Sequence, residues 1–352
     1  MKLKQQTYMF PKNLKIRKRG TLAAAGLLAL SLASCDSSFV YEDLRPCIPE
    51  YRLRLSYDHN MAFAEQNEKV EAAEIYAFDS DGTLAAVVTA DKKTLIDNDW
   101  TVKMDLERNK PYDIVVWGGL VSNSPFSLDG TRAIVSKEDL TCRLSTETDA
   151  DGNSTSSSQF PALFHGNMAV TYTVEDGPEL ATLPLKKNTN TVDVAIRKQT
   201  GETVEEGYYK VEITDSNGVM DHKNNVSGDM VKYNPASFTS TELPLPDGQG
   251  GTQAAVTKAG VAQFHVARLM ENSDARIKIS LAESGIKLID TKLIDLILAA
   301  KASEAPDMAV QEYLDRQDTY NLDFTLRIEE NWTVFEIYVN NWVVVINDIE
   351  WK

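Results

Sequence analysis

Residues 75–88 read IYAFDSDGTLAAVV, and the way this stretch is read decides the fold. One reading takes Phe78 to Leu84, FDSDGTL, as a phosphatase-type nucleophile motif, with Asp79 attacking phosphorus, Asp81 moving protons and Mg²⁺ bridging the phosphate. That chemistry needs a parallel strand feeding a helix. The other reading takes Asp-Ser-Asp-Gly as the turn of a hairpin between two β-type runs, AEIYAF and LAAVVTA. Asp and Gly are turn residues for physical reasons: the carboxylate bonds to nearby backbone N–H groups, and Gly accepts a positive φ.

The surrounding sequence favours the hairpin. No regular alternation of strands and helices follows, and the best later acidic motif, Gly228-Asp229, lacks the carboxylate pair that would hold Mg²⁺. A motif outside its structural context is weak support for an activity. Asp79 and Asp81 also fall short of a Ca²⁺ loop, because the remaining ligand positions do not match. His59, His165, His222 and His265 are scattered, with no metal-ligand spacing, and no nucleophile elbow, zinc-protease helix or phosphate loop occurs. Neither an enzyme nor a cofactor is expected.

The rest of the chain is patterned for β-structure. YRLRLSY places Tyr51, Leu53, Leu55 and Tyr57 on one face and Arg52, Arg54 and Ser56 on the other. WTVKMDLE alternates through Trp100, Val102, Met104 and Leu106, and TVDVAIR, YYKVEIT, ARIKISL and NLDFTL follow the same period of two. YDIVVWGGL is different: its unbroken apolar run marks a strand buried on both faces. Helical spacing is confined to residues 62–70, 289–300 and 308–317. Residues 145–159, STETDADGNSTSSSQ, read as a flexible polar loop. The fold class expected is mainly β, as two antiparallel sandwiches with a few short helices: residues 47–180, then 181–352.

The N-terminus carries a different signal. Seven Lys or Arg and no acid fall within residues 1–34, ahead of the apolar run LAAAGLLALSLAS. A basic region before an apolar core well short of the roughly 20 residues that span a bilayer is a secretory signal. It ends in LASC, residues 32–35, the lipobox pattern, so Cys35 is the expected lipidation residue and residues 35–46 a polar tether. Removing the seven basic residues takes the formal charge from −16 to −23. Such acidity repels phosphate backbones and argues against nucleic acid as a partner. Of the two other cysteines, Cys47 and Cys142, a single disulfide is the expected state in an oxidising envelope, with two separate buried thiols the alternative. Trp332, Trp342 and Trp351 have either a packing role or that of a glycan platform.

Taken in order, YEDLRPC, LSYDHNM, VEAAEIYAFDSDGTL, YDIVVWGGL, FPALFHG, LPLKKNTNTVDVAI, QEYLDRQDTYNLDFTL and YVNNWVVVIND make the chain resemble the FimB-like anchor and minor-subunit lipoproteins of Bacteroidales type V fimbriae. The resemblance implies two transthyretin-like sandwich domains and a place at the base of a fimbria, held to the outer membrane by lipid on Cys35. The implied partner is a shaft pilin joined by β-strand addition. In such systems the polymerising subunits are cut by an Arg-specific protease after their first strand, whereas an anchor keeps that strand. Arg45, Arg52 and Arg54 lie where a cut would fall; alternation within a strand is expected to shield Arg52 and Arg54. A tip or accessory adhesin, or a stand-alone glycan-binding lipoprotein, is the alternative role.

Overall fold

The computed structural model describes residues 50–129, 134–327 and 333–344. The signal segment, the tether with Cys35 and Arg45, and Cys47 lie outside the described residues, as do Trp332 and Trp351.

The first sandwich packs a three-stranded sheet on a five-stranded one. The smaller sheet has β1 (Glu50–Ser56) in the middle, parallel to β11 (Pro178–Pro184) and antiparallel to β4 (Thr101–Met104). The larger runs β12-β10-β5-β2-β3, with β2 Ala72–Phe78, β3 Leu84–Asp91, β5 Pro111–Gly118, β10 Phe164–Thr171 and β12 Lys186–Lys187. Leu53 and Leu55 of β1 meet Ile75, Ile114, Val116 and Leu183 between the sheets. The alternation read from YRLRLSY is borne out, since Tyr51, Leu53 and Leu55 are buried and Arg52 is exposed.

The second sandwich consists of two six-stranded sheets. One runs β18-β19-β13-β22-β23-β24: β13 Thr189–Lys198, β18 Ser237–Pro246, β19 Thr252–Ala267, β22 Thr319–Arg327, β23 Thr333–Val339 and β24 Trp342–Val343. The other runs β21-β20-β14-β17-β9-β8: β8 Glu147–Thr148, β9 Ser154–Ser156, β14 Tyr209–Asp215, β17 Val231–Tyr233, β20 Arg276–Leu281 and β21 Lys287–Lys292. Val192, Val194, Phe264 and Phe324 join Val211, Ile213, Ile277 and Ile279 in its core. Helix α2 (Leu293–Glu304) adds Leu293, Leu296 and Ile297 to that core. The outer half of β19 pairs only with β18, and this ribbon is tied down by Arg197. The Arg197 guanidinium grips Asp323 through Nε and Nη2 and donates to the carbonyls of Leu243, Pro244 and Thr257.

A four-stranded sheet, β16-β15-β7-β6, joins the halves: β6 (Phe126–Leu128) and β7 (Cys142–Leu144) come from the first, β15 (Val219–Met220) and β16 (Val226–Ser227) from the second. It covers the face of the five-stranded sheet that points away from β1. On β5, Ile114 and Val116 enter the first core, while Val115 and Trp117 enter the second; on β2, Ile75 and Ala77 divide in the same way from Tyr76 and Phe78. This is why residues 114–117 are apolar without interruption. The run ends at Gly118-Gly119 because a Cβ on Gly119, at φ +85°, would lie 1.9 Å from the Ala162 carbonyl oxygen.

Several local expectations are corrected. Residues 145–159 are not a free loop: β9 adds to β17 in parallel, with Thr155 and Ser156 buried, because short polar side chains pass under a sheet edge once their backbone is paired. Residues 62–70 hold only a 3₁₀ turn at Asn67–Lys69. The periodicity from 289 is split, since Ile289 lies in β21 and the helix starts at Leu293. Residues 308–317 do form a helix, α3, Val310–Arg316, but a further short one, α1 (Lys92–Asp97), had no apolar period to announce it. Among the described residues three strand pairs are parallel, and residue 180 falls inside β11 rather than between elements.

Trp117 is fully buried where the two cores share a sheet. Trp117→Ala is expected to destabilise the whole chain by about 3–5 kcal/mol, moving one cooperative urea transition without splitting it; two separate transitions would contradict the shared core.

Candidate functional site

Asp79 closes the β2–β3 hairpin. Its Oδ1 accepts from the backbone N–H groups of Asp81 and Thr83, both at 3.0 Å, and Gly82 takes φ +79°. The same device recurs at Asp149 with Asp151 and Asn153, at Asp221 with Lys223 and Asn225, and at Asp247 with Gln249 and Gly251. In each, the fourth residue has positive φ: Gly82, Gly152, Asn224 and Gly250. Each turn joins an antiparallel pair. A carboxylate oxygen committed to two backbone donors is a turn cap, and the phosphatase reading has no strand-to-helix setting here. The recurrence D-x-x-[G/N]-x was the sequence signal for all four.

The feature with functional geometry is the first strand. β1 is hydrogen-bonded along both edges, in register from Glu50↔Pro178 to Ser56↔Pro184 on one side and from Tyr51↔Met104 to Arg54↔Thr101 on the other. Leu53 and Leu55 are fully buried, and the Tyr51 ring stacks on Tyr172 at 4.5 Å. The Tyr172 hydroxyl in turn donates to the Arg52 carbonyl at 3.1 Å. Arg52 pairs with Glu50 at 3.0 Å, and Arg54 with Glu65 at 3.2 Å. Both arginine side chains reach solvent, yet their backbone is held in the middle of a sheet.

Polar contacts then fix the two sandwiches to each other. Asp318 accepts from Tyr57 at 3.0 Å and pairs with Lys69 at 2.7 Å and Lys187 at 3.2 Å. Buried Asp315 receives Arg268 through two bonds of 2.8 Å and Lys186 at 2.9 Å. Asn188 and Asn224 exchange side-chain amide bonds, and Arg268 donates to the Asn224 carbonyl at 2.7 Å. His165 packs edge-on against Trp117, with its Nε2 3.1 Å from the carbonyl oxygen of His222. The four histidines thus serve no common centre, and among the described residues no group of three His, Cys, Asp or Glu is placed to hold a metal.

Cys142 is fully buried in β7, and burial pushes its thiol up to about 12. Trp342 packs against Gly250 at the tip of the β18–β19 ribbon, a packing role. Among the described residues no helix is long and apolar enough to cross a membrane.

Two fused sandwiches, a first strand paired on both edges and hairpins capped by Asp are the recurring features of the described residues. Residues 44–348 match the fimbrillin-A associated anchor proteins Mfa1 and Mfa2, and the chain belongs to that family. Among solved structures it is similar to an adhesin candidate from Bacteroides thetaiotaomicron, with 26% identity and a TM-score of 0.73 over 87% of this chain and all of that one. A candidate polysaccharide-binding protein of the same organism has 25% identity and a TM-score of 0.70, covering 86% of this chain and 99% of that one. The fimbrial anchor protein Mfa2 from Porphyromonas gingivalis shares the fold, with a TM-score of 0.60 at 16% identity over 85% of this chain and 99% of that one. No curated protein matches the chain. The family and these neighbours give the protein a fimbrial, cell-surface role, and the fold expected from the resemblance is the fold observed.

Burial holds His165 neutral, lowering its pKa to about 4 from an unfolded value near 6.5. The unfolded chain therefore binds the extra proton first. Stability from this group is complete above pH 6.5 and is lost as pH falls toward 4, by up to about 3 kcal/mol. His165→Gln keeps a donor for the His222 carbonyl, so its stability should fall less steeply than the wild type's over that range; equal slopes in urea titrations would contradict this.

Proposed function

We propose that the protein is a fimbrial anchor or cell-proximal minor subunit, tethered to the outer membrane by lipid on Cys35, which holds the fimbrial polymer and helps set its length. The observation that carries this reading is β1. A subunit whose first strand is paired on both edges and seals its own core keeps whatever precedes that strand, and what precedes it is the LASC lipobox and a polar tether. Two or more acyl chains make a stable membrane anchor, because each buried CH₂ contributes about 0.8 kcal/mol. A body of formal charge −23 repels anionic headgroups, so the lipid has to supply the attachment. The shaft pilin is the proposed partner, joined by β-strand addition, in which backbone hydrogen bonds supply affinity and alternating pockets supply register.

The Cys47–Cys142 disulfide belongs to the same proposal, as a pin between the tether and the four-stranded sheet. Intact mass after alkylation of the unreduced, denatured protein tests it: no added label on either residue is expected, and two labels would reject the bridge.

The second reading, an adhesin or glycan-binding subunit, is favoured by the two Bacteroides thetaiotaomicron neighbours. Cys35→Ala separates the two. An anchor without its lipid should still permit assembly but release fimbriae to the medium, some of them longer. A normal coat of cell-bound fimbriae on Cys35→Ala cells would reject the anchor role and leave the adhesive one.

A further inference from the structure

At the end of β14 a cavity of about 410 Å³ opens between the 215–217 corner, the 225–230 segment and the 270–274 turn. Its lining is mostly polar, with Ser216, Asn217, Asn225, Asn272 and Ser273 beside the two carboxylates Asp215 and Asp274, and Val226, Met230 and Met270 supply an apolar part; no Lys, Arg or His is among them. Asp215 is 2% exposed. Its Oδ1 accepts only the N–H of the next residue, Ser216, at 2.8 Å, and its Oδ2 only a long bond of 3.4 Å from Ser273. Among the described residues no Lys, Arg or His lies within ion-pair distance of it. Asp274 sits at the rim, where Lys292 reaches it from outside at 3.0 Å.

A carboxylate buried without a counter-ion is costly, and the usual remedies are a paired cation or neutralisation. Burial does raise the Asp215 carboxyl, to about 6, with Asp274 adding to the effect, but that leaves it ionised at neutral pH. Asp215 lines the cavity, and its two hydrogen bonds leave part of the carboxylate's acceptor capacity unused. Met230 is 52% exposed, and Met and Val surfaces suit an aliphatic chain rather than a hydrated ion. A neutral sugar would satisfy hydrogen bonds but leave the Asp215 charge uncompensated. A divalent ion would find only two carboxylates here, and among the described residues no group of three His, Cys, Asp or Glu is placed to hold a metal.

We infer that this cavity is a socket for a basic side chain of a partner protein, its aliphatic stem lying between Met230, Met270 and Val226 and its ammonium or guanidinium head on Asp215, with Asp274 at the mouth. Guanidinium matches the carboxylate with two parallel bonds, so Arg fits better than Lys. The socket is lined by residues of the second half of the chain, and it stands or falls independently of the lipid-anchor reading.

The test is a titration of the full chain, following the methyl resonances of Met230 and Met270 while adding N-acetyl-arginine amide at pH 7.5. Saturable shifts in the millimolar range are expected. They should weaken at least tenfold with the citrulline analogue, which has the same shape without the charge. Asp215→Asn should lose binding by the same factor while its melting temperature stays level or rises, since the amide is less costly to bury than the charge; a merely structural carboxylate would lower it. Met270→Lys, which places the protein's own cation in the cavity, should block the site if Asp215→Asn does not fold. Equal binding of arginine and citrulline, arginine binding that survives both substitutions, or shifts produced by methyl glucoside or Ca²⁺ in place of arginine would each overturn the assignment.

Discussion

The rest of the structure depends on the pairing of β1 along both of its edges. A strand in the middle of a sheet contributes two ladders of hydrogen bonds and one full row of buried side chains, so Leu53 and Leu55 cannot leave without opening the first core. β11 closes one side of it and β4 the other. Since β11 leads directly into β12 and then β13, the same pairing sets where the second sandwich begins. In the proposed anchor, β1 is also the point at which tension on the tether enters the folded body. Parallel loading of the β1–β11 ladder spreads that tension over seven residue pairs instead of one.

β1 packs its buried side chains against β2 and β5, whose two faces belong to different cores. The shared sheet means that neither sandwich has a complete surface of its own. The Asp315 and Asp318 clusters add charge-assisted bonds across the same seam, from Lys186 to Asp315 and from Tyr57 and Lys69 to Asp318, and Arg268 holds Asp315 in place from within the second sandwich. Such pairs are costly to break singly and so favour one relative placement of the halves. A fimbrial subunit carrying force gains from this arrangement, because bending between domains would turn pull into peeling.

Much of this was legible in the sequence where period and burial agree. Alternation in YRLRLSY placed β1 correctly, and the unbroken apolar run around Trp117 announced a strand covered on both sides, although not what would cover it. Asp79 was readable as a turn from its neighbours alone. What escaped was non-local. Nothing in STETDADGNSTSSSQ marks Thr155 as buried, because its pairing with Lys232 on β17 depends on a strand some eighty residues away. Ile289 carries helical spacing that the sheet overrides, and β1–β11 and β13–β22 pair in parallel, a pairing with no hairpin signature. Asp215 was also invisible: in YYKVEITD it reads as an ordinary strand-end acid, and only the folded chain buries it without a counter-ion.

The central claim is that the first strand is a permanent part of the fold, so that the segment ahead of it stays attached. An Arg-specific protease acting on the native protein, followed by intact-mass analysis, tests that most directly. The account predicts that the bonds after Arg52 and Arg54 survive under conditions that cut the same bonds in the urea-unfolded chain. Quantitative loss of the residues up to Arg54, from a protein that otherwise remains folded, would show that β1 is a removable strand and would contradict the account.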